Sequence, residues 1–475
     1  MLTRGDLIIT TKHMLAMEGE GVGYKENYAL AIKDGEIIDV LPIEEARNTY
    51  EAFDNHEFKH HVILPGFVDA HMHGSNAMFR GLAQDTNRWM MEGYMPFGKH
   101  LTEKAGVVAT KLAYAEALRN GTTCFSDFEY PMEEAAEVAF DLGVRALITS
   151  RIRSVPNKPY GPGELYEFDE ALGEKTFEEA VTLASTWHGR DNGRIRVALG
   201  PQGVDFVHED LLKRIFKKAK EMNLKVHMHL QQGDRETEQI EKRHGMKPIA
   251  YLDKLGLIDE TLMAVHLTDA NDEEAALVAN RGASMILCPG SIAIIDGLVP
   301  PALSFMEAGG VVGLGSDQAP GNNCHNMFNE MKLACLLNKC KTQNPEVMPS
   351  YKALRMATIE GAKTIGFDDI IGSLEKGKRA DFIAVNLNAL TMQPVIVKPL
   401  RNIVPNLVYS ARGPEVSHVY VDGKNLLREG RYQTISERDL LREVEHVKKE
   451  LFQVILNETE HWEGRQFELL REDKL

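Results

Sequence analysis

Eight short apolar segments, mostly separated by amphipathic segments, constrain the fold of this 475-residue chain more than any other feature. Such alternation is typical of a parallel sheet whose faces are covered by helices. Eight such apolar segments, alternating with helices, predict an α/β fold, a TIM-like (β/α)₈ barrel. A doubly wound sheet is the alternative, but no Gly-x-Gly-x-x-Gly motif follows a predicted strand. The predicted strands lie within residues 61–73, 121–128, 145–152, 194–203, 224–230, 263–269, 284–290 and 310–317.

The two ends of the chain follow a different pattern from the middle. Residues 6–11 and 27–41, and again 379–387 and 416–430, alternate polar with apolar residues or run in β-branched residues, which predicts short strands. The dipeptides Asp34-Gly35 and Asp422-Gly423 are hairpin turn signals within them. Residues 435–475 predict a C-terminal helical extension that begins after Ser436 as N-cap. A long amphipathic helix there suggests subunit contacts, so we expect a homo-oligomer, a dimer or higher.

Composition excludes several classes of protein. The formal net charge of −16 argues against nucleic acid as a partner, because neutralising phosphates requires clustered Lys and Arg. No apolar run approaches the roughly 18 residues of a membrane helix, and the N-terminus lacks the apolar core of a signal peptide. Five scattered cysteines without Cys-x-x-Cys spacing favour a reducing compartment. We therefore expect a cytoplasmic protein without a membrane partner.

Titratable residues stand where several predicted strands end, which is where barrel enzymes place their sites. His71 and His73 end the first strand, His229 the fifth, His266 the sixth and Asp317 the eighth. Residues two apart on a strand share a face, so His71 and His73 can point to one ion. One His-x-His pair is weak evidence, since chance alone gives about one in a chain with 17 histidines. Imidazoles with one carboxylate suit a divalent ion that keeps a position open for water.

His227 shares a face with His229 but lies one layer deeper in the predicted strand. We interpret it as a hydrogen-bonding support for the metal site or as a core histidine, rather than as a ligand.

Five longer motifs occur in order along the chain: LPGFVDAHMHG, VHMHL, AVHLTD, VGLGSDQAPGNN and GSLEKGKRADF. Together they make the sequence resemble the amidohydrolase superfamily, and within it the cytosine-deaminase-like branch. The branch includes the s-triazine hydrolases and the deaminases of methylthioadenosine and S-adenosylhomocysteine. The resemblance runs from about residue 5 to 430. It implies a metal-binding barrel over 61–375 and a small β-sandwich domain built from residues 1–60 and 376–434.

The resemblance also implies the roles of the site residues. His71, His73, His229 and Asp317 would bind one divalent metal ion, Zn or Fe. His266 would be a fifth ligand or a hydrogen-bond donor to water and substrate. The ion lowers the pKa of its water and so supplies hydroxide near neutral pH. Asp317, beside that water, would take its proton.

The chain departs from the branch at two positions. Gln232 stands where these relatives carry a proton-shuttling glutamate, and an amide cannot carry a proton at neutral pH. Ile292 stands where the branch often has asparagine. Either another acid replaces the glutamate, or Asp317 and His266 perform all the proton transfers. The candidate acids, each more simply explained as a loop or capping residue, are Asp127, Glu129, Asp234, Glu236 and Asp269.

We therefore predict a metal-dependent hydrolase whose metal-bound hydroxide displaces an amino, alkylamino or halide group from a small, neutral nitrogen heterocycle of the s-triazine, pyrimidine or purine type. The catalytic residues would be Asp317, His266 and Gln232. The alternative is hydrolysis of a urea, carbamate or thiocarbamate bond, which Gln232 favours. A second alternative is a non-catalytic relative that binds metal or ligand only.

The substrate side of the site gives weaker signals. Residues 76–97, after the first strand, are rich in Met and aromatic side chains that could wall a flat substrate, with Trp89, Met90 and Tyr94 as candidates. A lid that packs on its own barrel or on a partner subunit is the alternative. Phe128 ends the second strand and Asn323 follows Asp317, where turn formation is the simpler explanation for the asparagine.

Overall fold

The computed structural model of the protein describes residues 2–87, 89–158, 160–161, 163–456 and 465–475. Its strands form two hydrogen-bonded sheets. The strands are β1 Thr3–Leu15, β2 Tyr24–Lys33, β3 Glu36–Pro42, β4 Tyr50–Pro65, β5 Phe67–His73, β6 Thr122–Glu129, β7 Arg145–Ile152, β8 Ile195–Pro201, β9 Val226–Leu230, β10 Leu262–His266, β11 Ser284–Leu287, β12 Val312–Leu314, β13 Asp317–Gln318, β14 Phe382–Asn386, β15 Val416–Val421, β16 Lys424–Arg428 and β17 Arg431–Tyr432.

Helices follow most strands of the middle of the chain. The α-helices are α1 Ile43–Thr49, α2 Met95–Gly98, α3 Glu103–Arg119, α4 Met132–Leu142, α5 Glu170–Trp187, α6 Arg190–Gly193, α7 Glu209–Met222, α8 Asp234–His244, α9 Pro248–Lys254, α10 Asp272–Asn280, α11 Pro289–Ile295, α12 Ala302–Glu307, α13 Ala319–Asn322, α14 Met327–Thr342, α15 Ser350–Met356, α16 Ile359–Thr364, α17 Ile403–Tyr409, α18 Glu437–Leu456 and α19 Arg465–Arg471. Short 3₁₀ segments cover Gly74–Phe79 and Leu390–Met392, and a π-helix covers Trp89–Tyr94.

The larger sheet confirms the predicted barrel. Its order is β12-β11-β10-β9-β8-β7-β6-β5-β13, with parallel pairing between neighbours. Two residues separate β12 from β13, and β13 pairs with β5, so the last strand position meets the first and the sheet closes. Most of these strands are buried along their whole length, because the sheet is covered on one face by helices and filled on the other by side chains.

The smaller sheet is built from both ends of the chain, as the terminal strand signals predict. Its order is β17-β16-β15-β14-β4-β1-β2-β3, and all pairs are antiparallel except β1 with β4. Strand β4 runs to Pro65, five residues past the predicted boundary at 60. The predicted first barrel run, 61–73, therefore spans the end of β4 in one sheet and the whole of β5 in the other.

Two features join the sheets. Gly66 lies between β4 and β5, and a Cβ there would stand 2.1 Å from Thr123 Oγ1 on β6, so only glycine fits this crossing. At the start of β7, the fully buried Arg145 guanidinium donates to both carboxylate oxygens of Asp381, at 2.8 and 3.1 Å. It also donates to Asp422 at 2.7 Å. The arginine thus ties the base of the barrel to two positions beside the small sheet, and its charge is paired where burial would otherwise make it costly.

The C-terminal helix α18 lies on α3 of its own chain. Leu440, Val447 and Leu451 form its buried face, and the ion pairs Lys104–Glu450 at 2.7 Å and Lys111–Glu443 at 3.2 Å flank it. The apolar stripe that suggested a subunit contact is therefore largely covered within the chain, and the oligomer stays a prediction. None of the helices in the described ranges combines the length and apolar character needed to cross a membrane.

Candidate metal centre

Four strands deliver polar side chains to one end of the barrel. His71 and His73 point to the same face of β5, and β13 pairs beside it with Asp317 opposite Met72. Strands β9 and β10 are neighbours and bring His229 and His266 to the same end. The structure thus brings together the five residues that the sequence proposes as ligands, and all five are buried.

Asp317 lies at the centre of this cluster. Its Oδ1 is 3.4 Å from His71 Nε2 and 3.3 Å from His73 Nε2, and its Oδ2 is 4.0 Å from His266 Nε2. Two overlapping sets have ligand atoms that all lie within 4.8 Å of one another. They are His71 with His73 and Asp317, and His71 with His229 and His266. The ligand atoms of each set are thus close enough to bind a common ion.

The hydrogen-bonding state of these atoms fits a cation. His71 Nε2, both ring nitrogens of His266 and Asp317 Oδ1 are buried, and none of them has a hydrogen-bond partner among the described residues. Unpaired buried polar atoms of this kind cost about 1–3 kcal/mol each, so their convergence calls for a ligand. Imidazole nitrogens with one carboxylate oxygen are a donor set that Zn²⁺ and Fe²⁺ accept. The residues therefore fit a divalent metal ion.

Burial and the neighbouring charges set the protonation of the cluster. Burial lowers the pKa of His71 to about 4 and that of His266 to about 3, so both imidazoles are neutral at pH 7. Burial alone would raise the pKa of Asp317, but contacts with His71 and His73 outweigh it and hold that pKa well below its usual value. Neutral imidazoles and an ionised carboxylate are the forms that bind a metal.

Strained backbone accompanies two of the five residues. His266 has φ 76° and Asp317 has φ 59°, values that residues with a Cβ rarely adopt. Strain of this kind costs of order 1–3 kcal/mol and concentrates at functional sites. His266 ends β10 and Asp317 begins β13, so both strained residues lie where a strand meets a loop.

A directed hydrogen-bond chain orients His71. Its Nδ1 lies 2.8 Å from Nε2 of His227, whose Nδ1 is 3.1 Å from Thr149 Oγ1. If His71 binds an ion through Nε2, its Nδ1 carries the proton and donates to His227, which then donates onward to Thr149. The position of His227 matches its interpretation as a support one layer below the ligands.

Glu129 supports His73 from the neighbouring strand. Its Oε2 is 3.4 Å from His73 Nδ1 and accepts from Asn76 Nδ2 at 3.3 Å. Its Oε1 pairs with Arg151 Nη2 at 3.0 Å. Burial alone would raise the pKa of Glu129, but Arg151 and His73 bring it down to about 2. Asp317 and Glu129 in turn outweigh the effect of burial on His73 and raise its pKa to about 10 in the absence of metal.

Four residues that contact the proposed ligands or their supporting side chains have no role assigned from the sequence motifs. Ser291 Oγ donates to Asp317 Oδ2 at 2.5 Å. Thr149 and Arg151 are two apart on β7 and share its inward face. The alternation of polar Thr149 and Arg151 along β7, a strand that contains no histidine, is the sequence signal that could have identified them. Asn76, in the 3₁₀ segment after β5, carries no comparable signal.

The two adjacent glutamines after β9 have different roles. Gln231, at φ 51°, turns its buried amide away to Glu274, with Nε2 donating to Oε2 at 2.9 Å. Gln232 is half-buried and uses its backbone N–H to bond Glu236 Oε2 at 2.8 Å. Its side-chain amide makes no hydrogen bond within the described ranges and is free to meet a substrate.

The candidate replacement acids fall in different surroundings. Asp127 accepts from Gly74 N at 3.1 Å and from Tyr114 Oη at 2.8 Å, which explains it as a structural residue. Burial, followed by Asp205, raises the pKa of Glu236 to about 8. The backbone N–H of Asp269 donates to Gln231 O at 3.2 Å. The side chain of Asp234 lies outside the described part of the chain.

The predicted substrate contacts are spread over the barrel end. The Phe128 ring lies 4.9 Å from that of His229 and 5.8 Å from that of His73, against the metal cluster. Trp89 is buried and stacks on Tyr94 at 5.6 Å. Met90 is 41% exposed on the same segment. Asn323 Oδ1 accepts from Gly81 N at 2.8 Å and so joins two loops; its substrate role stays a prediction.

The fold and this cluster define a metal-site barrel of the amidohydrolase type. Residues 62–426 match the Amidohydrolase family, and the chain belongs to that family.

Individual relatives agree with this assignment. A 5-methylthioadenosine/S-adenosylhomocysteine deaminase from Saccharophagus degradans is 32% identical over 441 residues, which cover 92% of this chain and 95% of the relative. The zinc-bound structure of an adenosine deaminase from Xanthomonas campestris is 28% identical, with a TM-score of 0.87 over 95% of this chain and all of that one. The zinc complex of atrazine chlorohydrolase from Arthrobacter aurescens TC1 shares the fold at 19% identity, with a TM-score of 0.83 over 93% of this chain and all of that one.

Replacing His71 or Asp317 by alanine should remove the bound metal. Each change deletes a ligand atom, so we expect zinc affinity to fall by more than the roughly 10- to 100-fold that loss of a supporting residue causes. Metal content after dialysis, measured by mass spectrometry, checks this. His446→Ala, on the exposed face of α18, is the matched control and should leave zinc content unchanged. Zinc retained at the wild-type level by either site variant would contradict the ligand assignment.

Proposed function

We propose that the protein is a metal-dependent hydrolase that displaces an amino group from a nitrogen heterocycle, most closely a 6-aminopurine nucleoside. One observation carries the hydrolase part. Two sets of side chains, drawn from four histidines and an ionised aspartate, each have ligand atoms within 4.8 Å of one another, and several of these buried atoms have no hydrogen-bond partner among the described residues. The adenosine-type deaminases among the relatives support the substrate class.

The metal would lower the pKa of a water molecule towards neutrality and would polarise the attacked ring carbon. His71, His73, His229 and Asp317 would hold it, with His266 as a fifth ligand or a hydrogen-bonding neighbour. Asp317, ionised and with Oδ1 unpaired, is placed to accept a proton from attacking water. Neutral His266 offers one N–H donor and one acceptor for the developing tetrahedral centre.

The proton that Asp317 takes has to reach the ring nitrogen or the leaving amine. Gln232 can orient the heterocycle through its amide but cannot deliver that proton. We therefore assign the transfer to Asp317 and His266, as the simplest arrangement of the groups at the site. Phe128, whose ring is nearly perpendicular to those of His73 and His229, would form an apolar wall against the flat ring of the substrate.

The finer assignments belong to the same proposal. We propose a single ion, zinc or iron, in a cytoplasmic homo-oligomer that has neither a nucleic-acid nor a membrane partner. The free Gln232 amide favours hydrolysis of a urea or carbamate-type bond as the second candidate, because such a substrate places less demand on a proton shuttle.

A substrate panel separates these functions. Zinc-loaded enzyme should release ammonia from 6-aminopurine nucleosides, measured by a coupled glutamate dehydrogenase assay, and Asp317→Ala enzyme prepared in parallel should not. Aniline release from phenylureas, without ammonia from any aminopurine, aminopyrimidine or amino-s-triazine, would replace the first candidate by the second. A metal-loaded protein that turns over no member of the panel would point to the non-catalytic alternative.

Restoring the carboxylate at position 232 tests the role of the glutamine. If Gln232 orients substrate by hydrogen bonds, Gln232→Glu should lower turnover of the native substrate by about tenfold, since one such bond is worth roughly 1–1.5 kcal/mol. Steady-state kinetics on the substrate identified by the panel measure this. Gln433→Glu, at an exposed position, is the charge-matched control. Faster native turnover in the Gln232 variant would show that the amide is only a lost proton carrier.

A further inference from the structure

We infer that Tyr94 is a positioning residue that couples the segment Trp89–Gly98 to the ligand His73, through Asn76 and Glu129. The inference rests on the proposed metal centre and extends it to residues that make no contact with an ion.

The coupling is a series of short contacts. Tyr94 Oη lies 2.8 Å from Asn76 Oδ1, Asn76 Nδ2 lies 3.3 Å from Glu129 Oε2, and the same Oε2 lies 3.4 Å from His73 Nδ1. The final contact is an ion-pair separation, without the alignment of a hydrogen bond. Asn76, Glu129 and His73 are all buried, so water does not screen the series.

Donor chemistry gives the series one direction. A carboxylate only accepts, so Asn76 must present Nδ2 to Glu129 and its carbonyl oxygen to Tyr94, whose hydroxyl then donates. Glu129 is held on its other oxygen by Arg151 at 3.0 Å. The orientation of the Asn76 amide is therefore what fixes the oxygen beside His73, and the Tyr94 hydroxyl fixes that amide. Without the hydroxyl, Asn76 Oδ1 would be left buried and unpaired.

The ring of Tyr94 packs against three residues that lie near it in the chain. It stacks on Trp89, with centroids 5.6 Å apart and planes 7° apart, and meets Phe79 edge-on at 6.3 Å. Gly98 passes beneath it so closely that a Cβ there would stand 2.6 Å from Tyr94 Cζ. The position of Trp89–Gly98 thus sets the position of the hydroxyl.

Tyr94, which is not a metal ligand, therefore influences the affinity of the site for metal. When His73 binds through Nε2, its Nδ1–H faces Glu129, and a well-placed carboxylate strengthens the imidazole as a ligand. Tyr94 keeps that carboxylate in place through Asn76. The conformation of Trp89–Gly98 and the affinity for metal are therefore linked through Tyr94, Asn76, Glu129 and His73.

Tyr94→Phe tests the coupling on the zinc-loaded full chain. We expect zinc release to a chelator to accelerate about tenfold, the low end of the effect of a metal-supporting residue, and the visible spectrum of the cobalt-substituted enzyme to shift. Tyr432→Phe is the matched control, because it also removes one phenol hydrogen bond, to Ala115 O at 2.8 Å, away from His73. The control should release zinc at the wild-type rate.

A double-variant comparison separates positioning from packing. In a Glu129→Gln background, adding Tyr94→Phe should change zinc release no further, because the series is already interrupted. Asn76→Leu alone should reproduce the effect of Tyr94→Phe. Wild-type zinc release in Tyr94→Phe, or an undiminished effect in the Glu129→Gln background, would overturn the coupling. A wild-type protein that binds no zinc would instead overturn the metal centre, and the inference with it.

Discussion

The structure depends on the pairing of β13 with β5, which closes the barrel and places the Asp317 carboxylate beside His71 and His73. The register sets Asp317 opposite Met72, between the two histidines along the neighbouring strand. A carboxylate at this point balances a site otherwise made of imidazoles, and its two oxygens lie within 4.0 Å of three of them. The same strand pairing thus closes the barrel and assembles the site. The positive φ of Asp317 is the backbone strain that accompanies this pairing.

Around this centre, each ligand is held from behind by a different kind of partner. His71 contacts the neutral imidazole of His227, and His73 contacts the carboxylate of Glu129. His229 Nδ1 lies 3.0 Å from the backbone carbonyl oxygen of Gln202. These partners differ in how strongly they polarise the imidazole, because a carboxylate is a better acceptor than a carbonyl or an imidazole nitrogen. Glu129 comes from β6 and Gln202 follows β8, whereas His227 lies on β9, the strand that also carries the ligand His229.

Sequence reasoning predicts much of this and fails in physically definable places. The eight apolar runs and the histidines at their ends identify the barrel and bring the five proposed ligands to one place, since strand parity and parallel topology are readable from sequence. The predicted strand at 61–73 starts six residues before β5, because an apolar strand of the small sheet continues to Pro65. Only the tight crossing at Gly66 separates that strand from β5. Gln231 and Gln232 look alike in sequence, and only the structure shows that the Gln231 amide bonds Glu274. Asn76 and Tyr94 are joined by loop geometry, which has no period to read.

We propose that one divalent ion lies among His71, His73, His229 and Asp317. Anomalous X-ray scattering at the zinc edge, on crystals grown with zinc, would locate that ion. We expect one strong peak per chain, with ligand atoms of these four residues at about 2.0–2.2 Å from it. A peak elsewhere on the chain, or none at the barrel end in a zinc-replete crystal, would contradict this metal centre.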